Sequence, residues 1–148
     1  MHNVLIARAA VAIASLLIVG PLWAQDDKAR AVAVTKVVEI RSYNLKPGTR
    51  DRFHQLFLAQ ALPMLNRWNV DVVGYGPSLH DSDSYFLMRA FVSVEQRQQS
   101  EDAFYGSEEW KQGPREAILA DIVSYTTVVM QVDDATLAGL RRTRRPPK

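Results

Sequence analysis

Polar and apolar residues alternate from Lys36 to Tyr43, in the order Lys-Val-Val-Glu-Ile-Arg-Ser-Tyr. Period-two alternation among β-branched residues predicts a strand. It sends Val38 and Ile40 to one face and Glu39, Arg41 and Tyr43 to the other. Asn44 to Gly48 contains Pro47 and Gly48 and reads as a turn. Thr49 is placed to cap the following helix, with Asp51 in its first turn. Between Arg50 and Trp68 the residues Phe53, Leu56, Phe57, Ala61, Met64 and Leu65 recur at helical spacing and form one apolar face. Pro63 lies inside that pattern. It lacks a backbone donor and crowds the carbonyl four residues earlier, so a kink or break is expected near Ala59–Leu62.

Val70–Gly76 and Tyr85–Ser93 read as a second and third strand, joined by a polar loop with the composition of a hairpin connection. In the third strand Tyr85, Leu87, Arg89 and Phe91 share a face. Glu95–Ala103 is charged and rich in glutamine, a helix with a mostly solvated face, interrupted by Phe104-Tyr105-Gly106. Ser107-Glu108-Glu109-Trp110 has the form of a cap followed by an acidic first turn. Gly113-Pro114 breaks the chain again, and Pro114 suits the first position of a last helix reaching Asp121. Val123–Val132 is the fourth strand, and a short weak helix follows from Asp133. The order β-α-β-β-α-β defines an α+β, ferredoxin-like domain: a four-stranded antiparallel sheet with helices on one face.

Such a sheet leaves its other face bare. The expected bare face holds Glu39, Arg41, Tyr43, Leu87, Arg89 and Phe91, with either Tyr125 and Val129 or Val128 and Met130. An open patch of this kind marks an interface, and a two-fold pair of sheets would bury it.

The first 25 residues carry one charge, Arg8. An apolar run from Ala9 to Val19 is broken by Gly20-Pro21 and followed by Leu22-Trp23-Ala24 and polar residues. This is the form of a secretory signal peptide cut after Ala24. A retained membrane anchor is the rival reading, and the run is short for a span. The expected organisation is a signal at 1–24, a linker at 25–35, the folded domain at 36–132 and a basic tail at 133–148. The expected location is therefore outside the cytoplasm, periplasmic or secreted. The chain of 148 residues has no cysteine, which excludes a disulfide framework and a thiol nucleophile. Its formal charge is only +2, but five basic residues crowd into Arg141–Lys148. That tail can touch an anionic membrane surface. It is the only basis for a nucleic-acid partner, and export argues against one.

Val38-Glu39-Ile40-Arg41-Ser42-Tyr43 followed by Leu45-Lys46-Pro47-Gly48 resembles the opening motif of the NIPSNAP family. Ala61-Leu62-Pro63-Met64-Leu65 with Val73-Gly74, and then Ser107-Glu108-Glu109-Trp110, resemble its later landmarks. The resemblance runs from about Val37 to Met130. It implies a homodimeric α+β barrel of ferredoxin-like subunits, and it implies no particular chemistry. The chain departs from the family pattern at Arg89, where an aromatic is expected.

Candidate chemistry is sparse. His2 lies in the signal, leaving His54 and His80. His54 borders the apolar helix face and is the weak catalytic candidate, as a proton shuttle or a haem ligand. His80, Asp81 and Asp83 share a loop but lack the fuller ligand pattern of a calcium loop, so no metal is expected there. Charged Glu39, Arg41 and Arg89 on a face to be buried need partners. They form either a structural ion-pair network or, with Tyr43 and Phe91, the wall of a ligand pocket. No nucleophile elbow, phosphate loop or dinucleotide fingerprint is present, and no cofactor is evident. The reading is an exported dimer that binds a small ligand or a partner. The rivals are a monooxygenase-like or haem-linked oxidoreductase using the barrel pocket, and a non-catalytic interaction module.

Overall fold

A computed structural model of the chain describes residues 35–142. The expected signal, most of the linker and residues 143–148 of the tail lie outside the described residues. The elements are β1 (Thr35–Leu45), α1 (Arg50–Leu56), a π-helical turn (Phe57–Ala61), α2 (Leu62–Arg67), β2 (Asp71–Pro77), β3 (Ser84–Phe91), α3 (Val94–Gly106), α4 (Glu108–Gln112), α5 (Arg115–Asp121), β4 (Ile122–Asp133) and α6 (Asp134–Arg142). The strands form one antiparallel sheet in the order β2-β3-β1-β4. This is the ferredoxin-like arrangement that the alternation of strand and helix patterns predicts.

The register sets the site. Glu39 lies between Arg89 of β3 and Val129 of β4, and Tyr43 between Tyr85 and Tyr125. These rows face the helices. Tyr43, Tyr85 and Leu87 pack against Phe53, Phe57 and Phe104 in the main core. The expectation that Glu39, Arg41, Tyr43, Leu87, Arg89 and Phe91 form the bare face is therefore reversed. Alternation decides which residues share a face, but not which face the helices cover. The helices take the side with the larger aromatic area to bury, and the charges on it find partners within the chain.

The opposite face carries Val38, Ile40, Met88 and Ala90. At one end it is covered by Leu137 and Leu140 of α6, in a second, smaller core. Further along it is open: Val128 and Met130 of β4 remain 53% and 38% exposed. Val128 and Met130, not Tyr125 and Val129, belong to the open face.

In place of the kink or break expected near Ala59–Leu62, Pro63 is accommodated by a π-helical turn over Phe57–Ala61. The Leu62 N–H reaches back to the Phe57 carbonyl, a wider loop than an α-turn, which accommodates the proline without ending the helix. Thr49 sits at the start of α1 but does not cap it. Its hydroxyl donates to the Lys46 carbonyl at 2.8 Å. Ser93 and Ser107 do cap, accepting from the N–H groups of Gln96 and Trp110, each at 3.1 Å. The helix at α3 continues through Phe104 and Tyr105 to Gly106 instead of stopping before them. Two arginines of the basic tail belong to α6, and Arg141 pairs with Asp71 of β2.

Candidate functional site

The site begins with the pleat of β1. It places Glu39, Arg41 and Tyr43 in line on the helix-facing side, and β3 sets Arg89 beside Glu39. Above them runs α3, whose Arg97, Glu101 and Tyr105 follow at intervals of four and so share one stripe of the helix. This polar stripe, not an apolar one, faces the sheet.

The result is a cluster of three guanidinium groups and two carboxylates. Glu39 is fully buried and Arg89 is 1% exposed. Arg89 Nη2 donates to both Glu39 and Glu101. Arg41 Nη2 donates to Glu101 at 2.9 Å and lies 3.3 Å from Glu39. Arg97 joins the other oxygens, 2.8 Å from Glu101 Oε2 and hydrogen-bonded through Nε to Glu39 Oε2. Every carboxylate oxygen is engaged, as a buried ion cluster requires. The formal count is three positive charges against two negative.

The two carboxylates respond differently. Burial pushes Glu39 up, but the charge and hydrogen bond of Arg89, with Arg41 and Arg97, outweigh it and hold Glu39 below the usual glutamate range. For Glu101 burial prevails. The charge of Arg89 opposes it, the nearby charge of Glu39 adds to it, and Glu101 titrates above its ordinary value. Of the pair, Glu101 is the one that takes a proton first.

Tyr105 completes the cluster. Its hydroxyl oxygen accepts from Arg41 Nη1 at 3.0 Å and from Arg89 Nη1 at 3.3 Å. The Arg41 guanidinium is flanked by two rings, 5.7 Å from the centroid of Tyr105 and 5.2 Å from that of Tyr125. Both distances suit a cation–π contact.

Between this cluster and the last helices opens a cleft of about 430 Å³, bordered by Arg41, Tyr43, Tyr105, Trp110, Ile118 and Tyr125. The size is that of a small-molecule site. Glu101, Gln98 and Asp102 supply its polar side. Burial pushes the Tyr43 phenol well above its usual range, so this wall stays neutral.

Of the sequence candidates, Arg41 and Tyr43 line the cleft. Glu39 and Arg89 stand behind it and hold Arg41 and Tyr105. Phe91 lies under the Arg89 guanidinium, 5.7 Å from ring centroid to Arg89 Cζ, and not in the cleft. His54 is also elsewhere: its Nδ1 is 2.9 Å from the Tyr85 hydroxyl, and it does not border the cleft. In the loop, Asp81 accepts from the Asp83 N–H at 2.9 Å, and Asp83 accepts from the Gly48 N–H at 3.3 Å. Among the described residues no group of three or more His, Asp or Glu is placed to hold a metal ion. Arg97, Glu101 and Tyr105 were not foreseen. Their signal was the four-residue spacing on a helix with no apolar stripe, which reads equally as a solvated face.

The fold and cleft define a ferredoxin-like α+β protein with an intramolecular pocket between sheet and helices. The NIPSNAP family model matches residues 38–128, most of the folded part, and the chain belongs to that family. Solved structures agree in fold. A NIPSNAP family protein from Agrobacterium tumefaciens is similar with a TM-score of 0.63 at 14% identity, over 70% of this chain and 90% of that one. An uncharacterised NIPSNAP domain protein from Burkholderia xenovorans has a TM-score of 0.57 at 17% identity, over 64% and 91%. A putative antibiotic biosynthesis monooxygenase from Nitrosomonas europaea has a TM-score of 0.51 at 11% identity, over 64% and 88%. No curated protein sequence matches the chain.

Proposed function

We propose that this chain is an exported, homodimeric binding protein whose ligand is a small molecule with an apolar, ring-sized body and one anionic oxygen group. The observation that carries the reading is the charge count of the cluster that backs the cleft: three guanidinium groups are packed with two carboxylates, leaving one positive charge in excess, and Arg41 presents it at the wall. The Arg41 side chain is only 12% exposed, and charge so placed attracts an anion more strongly than it would in open water. The rest of the wall, Tyr43, Trp110, Ile118 and Tyr125, offers apolar surface. Glu101 is already counted in the cluster, and Asp102, the other carboxylate that borders the cleft, is exposed and screened by solvent.

Pairing is supported by the open sheet face around Val128 and Met130 and by the unpaired outer edge of β4. For the haem-linked alternative, no imidazole is among the described residues that border the cleft, and His54 meets the Tyr85 hydroxyl instead. Native mass spectrometry of the protein purified from the envelope of its own kind of cell tests all parts together. A dimer beginning at Gln25 and carrying a small organic anion is the expected result. A ligand-free dimer that also fails to bind aryl carboxylates would point to an interaction module instead, and a monomer beginning at Met1 would overturn both pairing and export.

A further inference from the structure

The electrostatics of Tyr105 go beyond simple anion binding, although the inference rests on the cleft being a ligand site. A phenol oxygen has one proton to give and two lone pairs to share. Both lone pairs of Tyr105 are taken, by Arg41 at 3.0 Å and by Arg89 at 3.3 Å. What remains is the hydroxyl proton, and it meets no acceptor among the described residues. Tyr105 also borders the cleft. The hydroxyl is therefore a donor only, held in place by two cations and polarised by them in the same direction.

A donor-only group with positive charge behind it discriminates between forms of a ligand. A neutral hydroxyl on a ligand offers it a weak acceptor. An ionised oxygen offers a strong one, and the resulting hydrogen bond is charge-assisted. The excess guanidinium charge of the cluster adds to the same preference. Fixed donors backed by positive charge and aimed at an oxygen that carries charge are also what stabilises oxyanions in enzyme sites.

We infer that the cleft binds weakly acidic hydroxyl compounds, phenols and enols, as their oxyanions, with Tyr105 as the hydrogen-bond donor to the charged oxygen. On binding, the ligand O–H bond breaks heterolytically, the electron pair stays on oxygen, and the proton passes to water or buffer. Nothing is oxidised or reduced. The chain would thus raise the acidity constant of its ligand, lowering the ligand's pKa, and hold a phenolate or enolate at a pH where the free compound is neutral. The flat walls of Trp110 and Tyr125 suit a planar, conjugated anion of that kind.

The test uses the full chain and two nitroaryl probes. 4-Nitrobenzoate is anionic at any working pH and reports whether the cleft takes an anion at all. 4-Nitrophenol absorbs visible light only as the phenolate, and it is added at about one pH unit below its own pKa, where roughly a tenth of it is ionised. The expected result is that both bind and that bound nitrophenol shows the phenolate band, its ionised-to-neutral ratio raised about tenfold. Tyr105→Phe should still bind 4-nitrobenzoate within several-fold while losing most of that rise. If 4-nitrobenzoate binds and nitrophenol binds without ionising, the inference is wrong and the anion-site reading stands. If the rise persists undiminished in a folded Tyr105→Phe variant, the arginines act alone and the role given to Tyr105 is wrong. If neither probe binds, both readings fall. The wild-type spectrum decides the main point even if the variant does not fold.

Discussion

Truncating Glu39 or Arg89 leaves the opposite charge buried and unmatched. Breaking a buried pair from one side typically costs about 3–5 kcal/mol. Glu39→Ala and Arg89→Ala are each expected to lose that much stability in urea unfolding, and a loss below about 1 kcal/mol would mean that the cluster is solvated. The two carboxylates also set opposite pH slopes. Glu39, lowered in the folded state, contributes stability above the ordinary glutamate value of 4.5 and loses it as pH falls through its own lower value. Glu101, raised, favours the folded state below 4.5, and that contribution is lost as pH rises through its own higher value. Glu101→Gln should therefore flatten the decline in denaturation midpoint above pH 4.5 and leave the acid limb in place. An unchanged profile would show that Glu101 does not titrate in that range. At this scale the sequence was partly legible. Charged residues alternating with apolar ones on a strand called for buried partners, and Glu39 and Arg89 are indeed paired. The missing members came from α3, because a polar stripe looks the same whether it faces water or other charges.

Elements were read more securely than their orientation. Strand alternation and the spacing of apolar helix residues report local geometry, so all four strands, and an irregularity near Pro63, were accessible. Which face of the sheet the helices cover is a tertiary choice and left no mark in β1 or β3 alone. Small residues at breaks carry sharper information. At Gly113 a Cβ would stand 2.4 Å from the Glu109 carbonyl oxygen. Gly113→Ala must shift backbone between α4 and α5, which form the outer wall of the cleft, and overpacking of this order costs about 1–3 kcal/mol. The measurement is the melting temperature, and an unaltered value would show that the α4–α5 connection yields freely. On β4, Val128→Asp puts a charge in the open face without touching the helix-side core. It should turn a dimer into a folded monomer by light scattering, whereas an intact dimer would place the interface elsewhere.

For the whole molecule, the family and fold were within reach of the sequence because the motifs around Glu39–Tyr43 and Pro47-Gly48 sit where geometry constrains residue choice. The cleft was not, because its lining comes from β1, α3, α4, α5 and β4, which only the fold brings together. The cluster has one more property as a unit. Guanidinium groups do not titrate in any ordinary medium, so among its ion-paired groups only the carboxylates can change charge. Acid makes the cleft wall more positive, first through Glu101. Glu101 is thus the site's valve for charge: each proton it takes up adds a positive charge to the wall, and each it releases removes one.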